Sequence, residues 1–102
     1  MISRQWRGLA RIDQASAYEE HLRADTFPAL RKIEGFVDAS ILKRPVSPGI
    51  EFLIVTRWNS MAAIEKFAGC DVEVAVVPEN VRRMMLEYDQ WVRHYEVAKD
   101  DV

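Results

Sequence analysis

His94 is the residue in this chain best suited to move a proton near neutral pH, because an unperturbed imidazole titrates at about 6.5. A general base needs a donor that stabilises the anion it leaves behind, and Arg57, at the end of an apolar run, can supply that charge. Trp6, Trp58 and Trp91 can wall an aromatic pocket, and Tyr88, flanked by Glu87 and Asp89, could donate and accept protons at its mouth. Each has a plainer reading. His94 can be a strand histidine satisfied by a neighbour, Arg57 a surface ion-pair former, and the tryptophans core or interface residues. His21 reads as a partly exposed helix residue and Cys70, after Gly69, as an inert thiol. Alternation on a strand sends Arg57 and Trp58 to opposite faces, and does the same to His94 and its neighbours Arg93 and Tyr95. They cannot all line one cavity within a subunit.

The elements that must position these groups follow from periodicity and turn chemistry. Residues 2–11 read as a strand with Ile2, Arg4, Trp6, Gly8 and Ala10 on one face. Asp13 is an N-cap candidate for a helix carrying Ala15, Tyr18, Leu22, Leu30 and Ile33 inward. Pro28 must kink that helix or restart it at Asp25/Thr26, and Gly35 is the expected C-terminal closure. Residues 36–44 and 50–58 read as a hairpin whose loop, Pro45-Val46-Ser47-Pro48-Gly49, exceeds two residues. The unbroken apolar run Phe52-Leu53-Ile54-Val55 suits a central strand buried on both faces. Asn59-Ser60 can cap a second helix with Met61, Ile64, Phe67 and Ala68 inward, ended by Gly69. Val81–Leu86 reads as a short helical turn and Gln90–Val97 as a closing strand. Strand, helix, strand, strand, helix, strand is an α+β, ferredoxin-like βαββαβ order, with a four-stranded antiparallel sheet and both helices on one face.

The 102 residues fit one domain spanning 1–102, with 49% hydrophobic and 29% charged residues, too apolar for disorder. A net charge of −2, with basic residues only in pairs, argues against nucleic acid. One cysteine excludes an internal disulfide and suits a reducing compartment; with no apolar leader or membrane-length run, a cytoplasmic location is expected. There is no metal-ligand spacing, no glycine-rich phosphate loop and no nucleophile elbow, so no cofactor is implied.

Two helices cover only one face of such a sheet, yet Leu53 and Val55 oppose Phe52 and Ile54, and Trp91, Tyr95 and Val97 oppose Val92. An exposed apolar face of that extent is unusual on a monomer. At roughly 25 cal/mol per Å², covering it would contribute several kcal/mol per subunit. A homodimer through the sheet face is the simplest closed solution.

The run from Glu51 to Gly69, an apolar strand ending in Trp58 followed by a capped helix, resembles the middle of an antibiotic biosynthesis monooxygenase domain. Tyr18…His21-Leu22-Arg23…Pro28-Ala29-Leu30-Arg31 and the closing His94-Tyr95-Glu96-Val97 are similar to members of that family as well. The resemblance implies a dimeric α/β barrel. It also implies, among several activities, cofactor-independent oxygenation of a small aromatic or polyketide-like substrate, in which a deprotonated phenol or enol reacts with dioxygen. On that reading His94 and Arg57 are the catalytic candidates, and Trp6, Trp58, Phe67, Tyr88 and Trp91 the substrate-binding ones. The haem-degrading branch places an Asn on the first strand, a Trp in the second helix and a His after it. Here Trp6 or Arg7, Phe67 and Val77 stand there, which disfavours haem degradation. The competing reading is a non-catalytic dimeric module that binds a small apolar ligand or has a regulatory role.

Overall fold

The computed structural model describes residues 1–101. Strand β1 (Ile2–Ala10) leads through a 3-10 turn (Ile12–Gln14) into α1 (Ala15–His21), a π-helical stretch (Leu22–Thr26) and α2 (Phe27–Arg31). The hairpin strands β2 (Phe36–Val46) and β3 (Gly49–Trp58) follow, then α3 (Met61–Ala68), α4 (Glu79–Met84), β4 (Met85–Tyr88) and β5 (Arg93–Glu96). All pairing is antiparallel, in the order β2-β3-β1-β4, with β5 also on β1. β4 takes the Gly8–Ala10 end of β1 and β5 the Ile2–Gln5 end. The two short strands therefore share one lane, and the ferredoxin-like α+β arrangement has four lanes built from five strands.

Local chemistry explains most boundaries. Ser60 caps α3, its hydroxyl oxygen accepting from the Ala63 amide at 3.2 Å, and Gly69 ends that helix at φ 84°. The break imposed by Pro28 lies where expected: the Phe27 amide reaches back to the Leu22 carbonyl, and Pro28 enters in the first turn of α2, where its missing N–H leaves no helical bond unmade. Three expectations are corrected. Asp13 is not a cap but sits inside the 3-10 turn, because the helix proper starts only after Gln14. Gly35 lies beyond the end of α2, where its φ of 99° turns the chain into β2 and its carbonyl accepts from the Asn59 amide. The hairpin loop is only Ser47-Pro48, joined by a cis peptide bond, because Pro45 and Val46 already pair with Ile50 and Gly49; Pro45 is tolerated there since β2 is an edge strand.

The helices cover one face. Phe52, Ile54 and Trp58 of β3 pack there against Tyr18, Leu30 and Ile64. Burial along β3 alternates strictly, with Phe52, Ile54, Thr56 and Trp58 sealed and Leu53, Val55 and Arg57 half-open. The expectation of burial on both faces therefore does not hold within one chain. The second face mixes apolar side chains with ion pairs. Arg7 contacts Glu51 at 2.7 Å and Glu87 at 3.6 Å, and Arg44 shares Glu51 at 2.6 Å. Leu42 and Tyr95 there are each 49% exposed. Among the described residues no helix is long and apolar enough to cross a membrane.

Candidate functional site

The inward-facing positions of β1 include Arg4 and Trp6, and those of β3 include Ile54 and Thr56; register pairs Trp6 with Ile54 and Arg4 with Thr56. These four side chains floor an open-mouthed cleft beneath the helices with an interior of about 80 Å³. Tyr18 and His21 from α1 and Phe27 and Leu30 from α2 form one wall; Phe67 of α3 and Val76 and Pro78 of the irregular segment after it form the other. Large apolar side chains dominate the lining, as in small-molecule sites generally.

Arg4 is the exception. Only 5% exposed, its guanidinium donates from Nη1 to the Val72 carbonyl at 2.5 Å and from Nη2 to the Val74 carbonyl at 3.3 Å, and stands 5.7 Å from the Phe67 ring centre. Burial pulls its pKa down to about 10, still far enough above neutrality to keep the charge. Nη1 also lies 3.0 Å from His94 Nε2. An arginine can only donate, so His94 Nε2 is the acceptor and the ring proton resides on Nδ1. Burial, and then the Arg4 charge, hold the His94 pKa below its usual value against a smaller upward pull from Glu73.

Tyr18 is almost wholly buried, and loss of solvent raises its phenol well above the usual range, so it stays protonated. Its ring meets Phe52 edge-on at 4.9 Å. His21 lines the cleft, and its Nδ1 lies 3.3 Å from the Asp25 carboxylate. Among the described residues no group of three or more potential ligands could hold a metal ion.

Of the residues singled out from sequence, Trp6 and Phe67 line the cleft. Trp6 is fixed by its Nε1–H donating to the Asp89 carbonyl at 2.8 Å, and Tyr88 stands behind it at 6.2 Å between ring centres. Trp58 is sealed beneath the floor, donating to Thr56 Oγ1 at 2.9 Å and stacking on Phe67 at 6.1 Å. His94 lies behind Arg4 and not on the cleft wall. Arg57 is on the opposite face of the sheet, held by Asp38 at 3.0 Å and Asp100 at 2.8 Å. Trp91 is 62% exposed on the connection between β4 and β5. The sequence reading missed Arg4, Tyr18 and Thr56. A charged residue at an inward strand position, between Ile2 and Trp6, is the signal that could have drawn attention to Arg4.

A sequence profile described as antibiotic biosynthesis monooxygenase matches residues 1–71. No curated protein sequence matches the chain. Several solved structures share the fold. A candidate antibiotic biosynthesis monooxygenase from Bacillus cereus superposes with a TM-score of 0.66 at 19% identity, over 99% of this chain and 94% of that one. Another, from Deinococcus radiodurans, gives 0.66 at 16% over 100% and 96%. The haem degrader MhuD of Mycobacterium tuberculosis, solved with two haems in its active site, gives 0.62 at 19% over the full length of both chains.

Proposed function

Because the chain belongs to the antibiotic biosynthesis monooxygenase family, we propose that its cleft binds a small aromatic or polyketide-like molecule and supports its oxygenation by dioxygen without a bound cofactor. The observation that carries this reading is a single cleft whose walls are apolar and aromatic and whose only charged floor group is the Arg4 guanidinium. Such walls exclude water and strengthen the field of the one cation they enclose. Loss of a phenolic or enolic proton leaves an oxyanion that can react with dioxygen. Arg4 would hold that negative charge, with His94 keeping the guanidinium in place. His21 is the imidazole on the cleft wall that would accept the proton. Arg57, on the far face, has no part in this scheme.

The residues present do not fit a haem in the manner that MhuD-like chemistry would need. Position 77 is valine, position 67 is phenylalanine, and the imidazole on the cleft wall comes from α1 instead.

We also propose that the chain pairs with a second copy through the open sheet face, where Leu42, Leu53, Val55 and Tyr95 lie among the ion pairs, and that it works in the cytoplasm, as its lone free thiol Cys70 suggests. The catalytic reading is tested by oxygen uptake with a panel of hydroquinones and polycyclic phenols. Uptake is expected with at least one, lost in Arg4→Gln and reduced in His21→Ala. Binding without uptake across the panel would leave a ligand-binding module in place of an enzyme.

A further inference from the structure

The arginines of this chain divide by what neutralises them. Arg7, Arg23, Arg44, Arg57 and Arg83 each have a carboxylate within 4 Å. Arg4, the one sealed in the interior, has no acidic partner among the described residues; its polar contacts are two carbonyls and a neutral imidazole, and the Phe67 ring lies 5.7 Å away. Neutral acceptors satisfy individual N–H groups but leave the net charge uncompensated in an apolar setting, which is costly unless a counter-charge arrives.

A guanidinium has five N–H groups. Three are engaged, which leaves Nε–H and one N–H of Nη2 without a partner in the chain. Among the described residues no side-chain polar atom is both sealed and unpartnered, so the Nε–H reaches accessible space, and Arg4 borders the cleft. The same reasoning applies to the Tyr18 hydroxyl, which has no partner in the chain and lines the same cleft. Nε and Nη2 form the side-on fork of the guanidinium, whose spacing matches the two oxygens of a carboxylate. Pinning the 72–74 backbone accounts for the end-on hydrogen bonds. It does not account for the charge or for the free fork.

We infer that Arg4 receives the carboxylate of a ring-bearing, otherwise apolar small molecule through its Nε–H and Nη2–H fork, with the Tyr18 hydroxyl as a further donor inside the cleft. This rests on the reading of the cleft as a ligand site, narrows its ligand to a hydrophobic monocarboxylate, and makes Arg4 the anchor of that carboxylate in place of the holder of a reacting oxyanion. His94 acts here as a positioning residue, holding Nη1 so that the fork faces the cleft.

Isothermal calorimetry with two probes of nearly equal shape, 1-naphthoate and 1-naphthamide, separates the possibilities without any turnover. The full chain is expected to bind the carboxylate at least about tenfold more tightly than the amide. Arg4→Gln is expected to bring the two within about twofold, chiefly by weakening the carboxylate, and Arg4→Lys to retain part of the preference. His94→Ala is expected to weaken the carboxylate selectively. If Arg4→Gln fails to fold, wild type and Arg4→Lys still decide. Equal affinity for both probes, or a preference that survives Arg4→Gln, overturns the role of Arg4 and leaves the cleft as a ligand site. Absence of binding by either probe removes the cleft reading as well.

Discussion

Arg4 on β1 and His94 on β5 are register partners, and the Arg4 Nη1–H points at His94 Nε2 across 3.0 Å. The contact exists only while the imidazole is neutral, so it links folding to pH. The folded state holds the His94 pKa below the ordinary value of about 6.5, so the unfolded chain binds the proton more readily. The contribution of this pair to stability is therefore complete above about pH 6.5 and drains away as pH falls from there through the lower native value. Urea midpoints of wild type and His94→Gln between pH 8 and pH 5 are expected to converge toward the acid end. A parallel offset at all pH values would show that the pair does not titrate as described.

Trp58 couples the core to the cleft floor, since it is sealed, hydrogen-bonded to Thr56 and stacked on Phe67. Trp58→Ala should cost about 3–5 kcal/mol in chemical denaturation, through a cavity that its neighbours cannot fill. Trp58→Phe keeps the stack but leaves Thr56 Oγ1 without its donor, and should cost less. Similar losses for the two would mean that the hydrogen bond, rather than the ring, dominates.

Arg57 forms its ion pairs on the face away from the cleft. Arg57→Ala should leave stability close to that of wild type, as expected for exposed, solvent-screened pairs. Naphthoate affinity should stay within about twofold of wild type, and calorimetry on the variant reads it directly.

Leu53 and Leu42 are register neighbours on the open face. Sedimentation velocity at micromolar concentration is expected to show a dimer for wild type and a folded monomer for Leu53→Glu, because desolvating an added carboxylate against a second copy is costly and its register neighbour Arg7 already serves Glu51 and Glu87. A wild-type monomer would remove the pairing.

Much of the architecture was legible because it rests on short-range rules. The Ser60 cap, the extent of β3 and the interruption at Pro28 are each fixed within a few residues of sequence, whereas the one-sided burial of β3 is not. The divided fourth lane was not, since residues 85–88 extend only because the Gly8–Ala10 end of β1 offers free hydrogen-bonding groups. The cleft was less legible still. Histidine drew attention by its pKa, but His94 spends its lone pair on Arg4 behind the wall. The charge on the floor comes from a strand arginine that local pattern does not distinguish from a surface one. What separates Arg4 from Arg57 is parity relative to the helices, a tertiary property.

The divided lane also bears on how copies of the chain can meet. A continuous strand at that border would offer a row of free amides and carbonyls to any neighbour, the usual seed of ribbon-like aggregation. Here the row is interrupted between Tyr88 and Arg93, and on the opposite border Pro45 withholds a donor near the end of β2. Side-by-side growth of the sheet meets a broken row of partners at one border and a missing donor at the other, which disfavours ribbon-like stacking of copies.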